Sequence, residues 1–586
     1  MTKVSRRGFV KFSMMGMGGA VVSTGLGGVL VGCSGDDDAD EIAASFDHGV
    51  ASGDPLSDRV ILWTRVTPVA EADREGSTNV RVSWEVATDE NFSSIVVSGS
   101  ATTNAGRDFT MKVDASNLTP GTVYYYRFST ASSTSVVGRT KTLPEGETDQ
   151  ARFVVVSCSN YPAGHFHAYA EAAKQDGVDA SIHLGDYLYE YARGGFASED
   201  AQTLGREVLP EGELLTLSDY RTRYAQYRTD PDLQTFHQAM PMIAVWDDHE
   251  VANDTWREGA ENHDPETQGS FAERLLFALQ AYAEWMPIRP PVDNDVSSLA
   301  RNFQYGDLVN LIMLDTRIVG RDLQLSLASY FGNDGNFDVQ RYTSEILDNN
   351  RTLLGTDQLN WLQEQLATNT RWQALGQQVL MGRMELPGAV ATAQLSIEDY
   401  VTLVQLAQAD PLTLSPEQAA FLQARGPLLQ LPSLPYNLDA WDGYPAEREQ
   451  IYQTAQDNSA NLVVLAGDTH NGWASNLKTS ASAGNASVGV EFATPGVSSP
   501  GLESFLNLSS EQAIMQTEGG LTQLIENLNY TNLSDRGFLM VTFTANNVTA
   551  DWIYVSSVKE NTYQTLPNRN RQIVVNAGAN VISDSV

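Results

Sequence analysis

Cysteine is almost missing from this chain of 586 residues, which contains two. A disulfide framework is therefore excluded as the basis of the fold. Histidine is also scarce, with eight residues, and a zinc site built from histidines alone is excluded because too few of them follow candidate strands. Past residue 31 no segment approaches the roughly 18 consecutive apolar residues that a membrane-spanning helix needs.

Basic residues are also few, with 37 lysines and arginines against 73 acidic residues and a net charge of −36. A surface of this sign repels nucleic acid and anionic lipid heads, so we expect neither as a partner bound through a broad electrostatic patch. The charge does not exclude an anionic substrate where local cations offset it, and it fits a saline habitat. The length predicts two or more domains.

The first 33 residues predict a targeting segment rather than part of the fold. Residues 5–11, SRRGFVK, resemble the twin-arginine export signal S-R-R-x-F-x-K. A glycine-rich apolar stretch follows and ends in LVGC at Cys33, which resembles a bacterial lipobox with its lipidated cysteine; a transmembrane anchor is the alternative. We therefore expect export by the twin-arginine machinery, a periplasmic or cell-surface location, and membrane contact only through the lipid on Cys33.

Residues 34–45 read as a polar linker, and residues 46–144 as an all-β domain. Short runs of alternating apolar and polar residues are broken by Asp, Asn, Gly and Pro about every ten residues, as in an antiparallel sandwich. Residues 118–124, LTPGTVY, resemble the tyrosine-corner segment of fibronectin type III domains. We predict a structural domain of the fibronectin III or immunoglobulin-like type, without catalytic residues.

From residue 150 to 586 strands and helices alternate, which predicts an α/β sandwich with two mixed sheets. The predicted strands include 153–156, 180–184, 242–246, 309–314, 372–375 and 461–466, and the predicted helices 164–175, 219–227, 270–285 and 356–367. The long insertions 193–216, 319–352 and 385–440 are candidates for a pocket mouth.

The segment from Phe153 to Tyr191 predicts a strand–helix–strand unit with parallel strands. Ligands of open α/β sheets lie beyond the carboxyl ends of the strands, where Cys158, Asp186 and Tyr189 fall. The spacing of Asp186 and Tyr189 predicts one face of a helical turn. If Cys33 carries lipid, Cys158 is the sole thiol of the mature protein, and an unpaired thiol in an oxidising compartment points to a metal ligand.

Two more strand ends carry chemistry. The run 245–246 is followed by Asp248, His249 and Asn253, and the run 463–465 by Asp468 and His470. A single acidic residue after a strand often caps a helix. Four such ends in one domain predict a metal site instead.

Ligand type suggests which metals bind. A thiolate and a phenolate on one ion favour ferric iron, whereas oxygen ligands favour Ca²⁺ or Mg²⁺. Asp186 lies between the thiolate–phenolate ligands and the oxygen ligands, and it is the candidate for a carboxylate that bridges the two cations. Two cations that share a carboxylate can activate water to hydroxide and hold a phosphoryl oxygen. His249 would donate a proton to the leaving oxygen, or would instead orient Asp248.

Eight stretches resemble the PhoD family of bacterial alkaline phosphatases and phosphodiesterases, within the calcineurin-like metallophosphatase fold. They are HGVASGDP (48–55), LWTRV (62–66), SCSNY (157–161), HLGDYLYEY (183–191), WDDHEVANDTW (246–256), LDTR (314–317), YNLDAWDGYPAER (436–448) and AGDTHNGWA (466–474). The resemblance implies hydrolysis of phosphate esters at a centre of Fe³⁺ and Ca²⁺, for phosphate acquisition.

The same resemblance implies roles for single residues. It makes Cys158, Asp186, Tyr189 and His470 iron ligands, and Asp186, Asp248 and Asp468 calcium ligands. Cys158, Asp248 and Asp468 stand where the wider metallophosphatase pattern has aspartate, asparagine and histidine, which matches PhoD-type sequences and disfavours zinc or manganese. Further candidates are Asn253 for a second calcium or substrate, and Asn160, Arg317 and Arg383 for the substrate's phosphate.

Two other functions stay open at this point. A phospholipase D-like phosphodiesterase that acts on phospholipids would use the same motifs. A ferric metal-binding surface protein without hydrolytic activity would keep the iron ligands, but it would not need Asp248, Asp468 or His249.

Overall fold

The computed structural model of the protein describes residues 22–23, 42–74, 78–289, 299–333, 337–392 and 394–583. Cys33 and nearly all of the predicted targeting segment and linker lie outside the described residues.

Within the described residues the strands form two large sheets, one sheet of four strands and two sheets of two strands each. Their bounds are β1 (Val22–Ser23), β2 (Ala44–Ser45), β3 (Val50–Gly53), β4 (Arg59–Arg65), β5 (Thr67–Pro68), β6 (Asn79–Ala87), β7 (Ile95–Asn104), β8 (Thr110–Ser116), β9 (Val123–Ser129), β10 (Gly138–Lys141), β11 (Gln150–Val156), β12 (Ala180–His183), β13 (Met242–Ala244), β14 (Arg301–Tyr305), β15 (Val309–Met313), β16 (Trp372–Gly376), β17 (Glu385–Leu386), β18 (Leu434–Pro435), β19 (Leu462–Ala466), β20 (Gly472–Lys478), β21 (Ser487–Ala493), β22 (Leu528–Asn532), β23 (Arg536–Thr544), β24 (Asn547–Val555) and β25 (Arg571–Asn576).

Sheet order places the predicted strand ends close together. The first large sheet has the order β1-β8-β4-β3-β13-β12-β11-β23-β24-β25, and the second the order β14-β15-β16-β19-β21-β20-β22. Strands β11, β12 and β13 are parallel neighbours in the first sheet, and β15, β16, β19 and β21 are parallel neighbours in the second. The carboxyl ends of both parallel sets therefore open towards one edge of the molecule.

Helices cover the sheets and connect their strands. Their bounds are α1 (His167–Ala172), α2 (Ala201–Leu204), α3 (Leu217–Tyr227), α4 (Pro231–Ala239), α5 (Phe271–Trp285), α6 (Val339–Ile346), α7 (Thr356–Leu366), α8 (Gly388–Ala391), α9 (Ile397–Gln408), α10 (Pro416–Arg425), α11 (Pro445–Asp457), α12 (Leu502–Phe505) and α13 (Glu511–Leu524).

The main core lies between the two large sheets. Phe153 of β11 packs edge-on against Tyr305 of β14, with ring centroids 4.8 Å apart. Trp552 of β24 packs in the same way against Phe492 of β21 at 5.7 Å. Sheet against sheet, with helices outside, is the predicted α/β sandwich, and this fold class is confirmed.

The amino-terminal strands divide between two sheets. Strands β10, β9, β6 and β7 form a four-stranded sheet, whereas β8, β4 and β3 continue the first large sheet through β13. At that junction the Cβ of a larger residue at Gly53 would lie 2.2 Å from the carbonyl oxygen of Pro287, so only glycine fits. The hydroxyl of Tyr124 accepts a hydrogen bond from the backbone N–H of Thr119 at 2.8 Å, as in a tyrosine corner. The immunoglobulin-like label and the domain boundaries remain predictions.

Several predicted elements have close counterparts. The strand predicted at 309–314 is β15, and the helix predicted at 270–285 is α5. The helix predicted at 164–175 is shorter, His167–Ala172, because residues 161–163 form a separate 3₁₀ turn.

None of the helices in the described ranges has the length and apolar character needed to cross a bilayer.

Candidate metal centre and active site

Four strand ends meet where the two large sheets adjoin. Cys158 follows β11, Asp186 follows β12, Asp248 follows β13, and Asp468 follows β19. Among the described residues, three groups of side chains have potential ligand atoms within 4.8 Å of one another: Cys158, Asp186 and His470; Asp186, Asp248 and His249; and Asp247, Asp248 and Asp468. The structure thus brings together the residues that the strand ends predict.

The first group and Tyr189 form what we call the thiol–phenol cluster (Cys158, Asp186, Tyr189 and His470). The Tyr189 hydroxyl donates to Asp186 Oδ2 at 3.0 Å and lies 3.1 Å from His470 Nε2. The hydroxyl of Ser499 lies 2.7 Å from the Tyr189 oxygen and 2.9 Å from the carbonyl oxygen of Cys158. The loop that follows β21 of the second sheet therefore contacts the backbone of Cys158 and the phenol of Tyr189.

His470 is oriented as a ligand through Nε2. Its Nδ1 lies 2.7 Å from the carbonyl oxygen of Pro500, and a carbonyl can only accept, so Nδ1 carries the proton. Burial lowers the pKa of His470 to about 3, so the ring is neutral. Its Nε2 lone pair is left facing the cluster, the arrangement in which metal-binding histidines are held.

Burial keeps the other two unusual donors protonated in the protein alone. It raises the pKa of Cys158 well above its ordinary value, and the carboxylate of Asp186 adds to this effect. Burial followed by the charge of Asp186 does the same to Tyr189. Only a strongly attracting cation would convert the pair to thiolate and phenolate.

Left-handed backbone marks the ligand positions. Cys158, Asp186, Asp468 and His470 have φ values of 60°, 54°, 62° and 60°. Non-glycine residues rarely adopt this conformation, and it gathers at functional sites that the surrounding structure holds in place. Residues 186–191 are not helical, so the predicted helical turn is wrong. Asp186 and Tyr189 meet because the left-handed turn at Asp186 folds the chain back.

Asp247, Asp248 and Asp468 form a second group, which we call the carboxylate cluster. Within the part of the chain that the structure describes, Asp186 Oδ1, Asp247 Oδ2 and Asp248 Oδ1 are buried without a hydrogen-bond partner. Burial raises the pKa of Asp468 to about 7. Burial would also raise the pKa of Asp248, but His249 and Arg317 lower it below its ordinary value.

The Glu250 carboxylate connects the loops that follow β12 and β13. Its carboxylate accepts from the backbone N–H groups of Asp186 at 3.0 Å, Tyr187 at 2.6 Å and Asp247 at 2.8 Å. The adjoining Gly185 has a positive φ of 100°, and a Cβ there would lie 2.4 Å from the Asp247 side chain. The two ligand loops are therefore packed backbone against backbone.

His249 lies beside both clusters. Its Nδ1 lies 2.7 Å from Glu190 Oε2, and its ring centroid is 4.1 Å from that of Tyr189. Burial lowers the pKa of His249, but Asp248, Glu190 and Asp186 outweigh burial and raise it well above the ordinary value. The imidazole is therefore a protonated donor at neutral pH.

The remaining candidates have defined positions. Asn253 accepts from the Tyr191 hydroxyl at 3.0 Å and donates to Glu261 at 2.8 Å. The Asn160 amide donates to the carbonyl of Phe196 at 3.1 Å, and its Oδ1 is buried without a described partner.

Two arginines proposed for the substrate differ in setting. Arg317 lies against the aspartates of the carboxylate cluster, to which it donates. Arg383 pairs with Glu449 at 2.9 Å and has no described contact with either cluster. Its predicted role with substrate gains no geometric support.

Sequence reasoning placed Asp247 and Glu250 at the third strand end without giving them a role, and it missed Glu190, Asp439 and Ser499, which also hold the site. All but Ser499 lie in the motifs quoted above, which was the available signal. Ser499 lies in the segment TPGVSSP, which has no charged residue or ligand type, so nothing in the sequence singles it out.

The donor set fits metal ions. Three buried carboxylate oxygens lack described partners, and a thiol, a phenol and an oriented imidazole lie beside them. Unsatisfied buried carboxylates are costly unless a cation pairs with them. An α/β sandwich with such donors at its strand ends is a metallophosphatase-type hydrolase.

Comparisons with known proteins agree. The family described as "PhoD-like phosphatase" matches residues 153–552, and "PhoD-like phosphatase, N-terminal domain" matches residues 32–144. The chain belongs to the PhoD-like phosphatase family. It is accordingly a phosphoric ester hydrolase.

Individual relatives are similar over most of their length. Alkaline phosphatase D of Bacillus subtilis (strain 168) is 34% identical over 525 residues, which are 88% of this chain and 78% of the relative. The solved structure titled "Structure of PhoD" is 31% identical, has a TM-score of 0.71, and the match covers 92% of this chain and 94% of that one.

Proposed function

We propose that the protein is an exported phosphoesterase that hydrolyses phosphate monoesters, phosphate diesters or both, with a ferric and a calcium ion. Its membership of a phosphatase family supports the reaction class. The observation that carries the metal proposal is the buried donor set, in which a thiol and a phenol lie beside carboxylate oxygens without described partners.

Each cluster suits a different ion. Cys158, Tyr189, His470 and Asp186 of the thiol–phenol cluster would hold Fe³⁺, because thiolate and phenolate favour a strongly acidic cation. Asp186, Asp248 and Asp468 would hold Ca²⁺, which prefers oxygen ligands and tolerates irregular geometry. When bound, such a pair supplies Lewis-acid chemistry that acidifies water and offsets charge on phosphoryl oxygens.

His249 is proposed to protonate the leaving oxygen. The Glu190 carboxylate 2.7 Å from its Nδ1 fixes the ring, and the three carboxylates around it hold its proton. A donor of this kind contributes roughly 100- to 10,000-fold to such reactions. Glu190 is itself fixed by the backbone N–H of Asn253 at 2.8 Å.

Substrate contacts are proposed for Asn160, because its buried Oδ1 has no described partner while its amide is held by Phe196. We propose a small phosphate ester as substrate and phosphate acquisition as the role of the reaction. The SRRGFVK segment and Cys33 support export by the twin-arginine pathway and a lipid anchor, with a periplasmic or cell-surface location.

Metal analysis and absorption spectroscopy of the full chain test the metals. We expect iron and calcium in the purified protein and a visible charge-transfer band from thiolate or phenolate on Fe³⁺. A colourless, iron-free protein that still hydrolyses esters would refute the iron assignment.

A substrate panel tests the reaction. We expect measurable hydrolysis of p-nitrophenyl phosphate, bis(p-nitrophenyl) phosphate or both, with little release of headgroup from phosphatidylcholine vesicles. A preference for the lipid of more than about 100-fold in kcat/KM would instead favour a phospholipase D-like diesterase.

A further inference from the structure

Arg317 is a cation that the fold buries beside the carboxylate cluster. Its side chain is 0% exposed. The Asp315 carboxylate accepts from the backbone N–H groups of Arg317 and Ile318, both at 2.9 Å. The Thr316 hydroxyl donates to Gln378 at 2.6 Å. The backbone that carries Arg317 is thus fixed independently of its side chain.

Each nitrogen of the guanidinium has a carboxylate partner. Nε donates to Asp247, Nη2 donates to Asp468 at 3.3 Å, and Nη1 donates to Asp439 at 3.0 Å. The planar fork of arginine can serve three acceptors in fixed directions, which the single ammonium of lysine cannot do. These bonds use three of the five N–H groups, and the side chain is 0% exposed, so no part of Arg317 is accessible to a substrate phosphate.

The partners of Arg317 come from different layers of the fold. Asp247 follows β13 of the first large sheet, whereas Asp468 follows β19 of the second. Arg317 itself follows β15 of the second sheet. Among the described contacts of the carboxylate cluster, its side chain is therefore one that joins the two sheets across the cluster.

Asp439 anchors the far side of the guanidinium. It accepts from Arg321, whose Nη1 donates to the carbonyl of Thr316 at 3.0 Å. Asp439 belongs to none of the three groups of potential metal ligands, and its hydrogen bond to Arg317 connects it to the cluster.

We propose that Arg317 is a positioning residue that holds Asp247 and Asp468 in register and so sets the calcium affinity of the carboxylate cluster, without contacting substrate. The proposal rests on the proposed function, which assigns Ca²⁺ to Asp186, Asp248 and Asp468, of which the last two belong to the carboxylate cluster. A cation beside a calcium site has two opposing effects: it repels the ion, and it aligns the ligands. Alignment dominates here because the ligands come from separate sheets.

The test compares calcium binding by calorimetric titration in the full-length, iron-loaded protein after calcium depletion. We expect the calcium Kd to rise about 10- to 100-fold in Arg317→Lys and Arg317→Gln, as for other groups that orient metal ligands. Asp439→Asn should weaken binding in the same direction by less. Arg383→Gln, which removes an arginine paired with Glu449 away from the cluster, is the matched control and should not change Kd.

Two further readouts separate positioning from substrate binding. At saturating calcium, KM for p-nitrophenyl phosphate and the inhibition constant of inorganic phosphate should stay at the wild-type values. The visible iron band should persist in every variant, because the thiol–phenol cluster has no contact with Arg317.

Three results would overturn the proposal. Unchanged or tighter calcium binding in Arg317→Gln would mean that repulsion, not alignment, is its effect. A raised phosphate inhibition constant with unchanged calcium affinity would make Arg317 a substrate clamp. Loss of the iron band in both Arg317→Lys and Asp439→Asn would show a general structural role. Failure of the wild-type protein to bind calcium would refute the proposed function itself.

Discussion

The thiol–phenol cluster is fully buried and the carboxylate cluster beside it is buried except for Asp468, yet the two clusters differ more in protonation than in burial. In the first, burial raises the pKa values of Cys158 and Tyr189, so both stay protonated without a cation. In the second, Asp248 stays ionised because His249 and Arg317 offset its burial. The first cluster requires its cation to displace protons, whereas the second already contains one ionised carboxylate, Asp248, although burial raises the pKa of Asp247 and Asp468.

This difference has a physical lesson for two-metal sites. A neutral donor set of a thiol, a phenol and an imidazole selects for a cation acidic enough to remove protons. A charged oxygen set selects for a hard dication. Asp186 of the first cluster and Asp248 of the second have potential ligand atoms within 4.8 Å of each other, so the two ion preferences belong to adjacent sites.

The largest expected effect is the loss of activity in a variant of the carboxylate cluster that leaves the thiol–phenol cluster intact. Asp248→Asn keeps the shape of the side chain but removes the charge, so we expect kcat to fall at least about 1,000-fold, or about 4 kcal/mol of transition-state stabilisation. The visible iron band should remain, because Asp248 is outside the thiol–phenol cluster. Asp399→Asn, at an exposed aspartate, is the matched control. Retained activity in iron-loaded Asp248→Asn would make the carboxylate cluster dispensable.

Removal of calcium alone should have the second-largest effect and should also distinguish the two clusters. A calcium chelator such as EGTA should lower activity about 100-fold, since one of two cooperating cations is lost, while the visible band keeps its intensity. Added Ca²⁺ should restore activity. Parallel loss of colour and activity would mean that the two clusters bind their ions as one unit.

A change in pH dependence should link the clusters through His249. Glu190 raises the pKa of His249, so the protonated donor is lost only as pH rises through that raised value. Glu190→Gln keeps an acceptor for Nδ1 but removes the charge, so the alkaline limb of kcat should move about one unit to lower pH. Profiles of kcat between pH 6 and 10 measure this. An unmoved limb would leave His249 as a residue that orients Asp248.

The smallest expected effect lies in the thiol–phenol cluster. Ser499→Ala removes a hydroxyl 2.7 Å from Tyr189 and 2.9 Å from the Cys158 carbonyl, so we expect about 1 kcal/mol less free energy of unfolding. The visible band should shift while kcat stays within about threefold. Ser504→Ala, at an exposed serine nearby, should change neither quantity. A band unaffected by Ser499→Ala would place Tyr189 outside the iron ligands.

The site could be predicted from sequence where its chemistry follows apolar runs directly. Cys158, Asp186, Asp248 and Asp468 each come within four residues of a strand end, and these strand ends gather at one edge. Glu190 could not be predicted as the partner of His249, because 59 residues separate them and only the packed fold brings them together. The spacing of Asp186 and Tyr189 was misleading, since a left-handed residue can close the same distance as a helical turn.

The fold, like the site, could be predicted from sequence only in part. Alternating patterns located the strands of residues 46–144, but a strand's sequence does not name its neighbours. Three of these eight strands, β3, β4 and β8, continue the first large sheet, because Met242 of β13 pairs with Gly53 of β3. Pairing with a strand that is distant in sequence, such as β13 with β3, leaves no pattern in the residues of either strand.

That shared sheet has a consequence for how the chain reaches its native state. The first large sheet pairs strands that begin near residue 50 with strands that end near residue 576, through β13, β12, β11 and β23. Contacts of such sequence separation slow folding, since the intervening chain must be ordered before they form. Strand β23 pairs with β11, the strand that presents Cys158, and β24 and β25 follow β23 in the sheet. The sheet beside Cys158 is therefore complete only after β23 to β25 have been synthesised, and we expect a variant that lacks these strands to lose the proposed iron site.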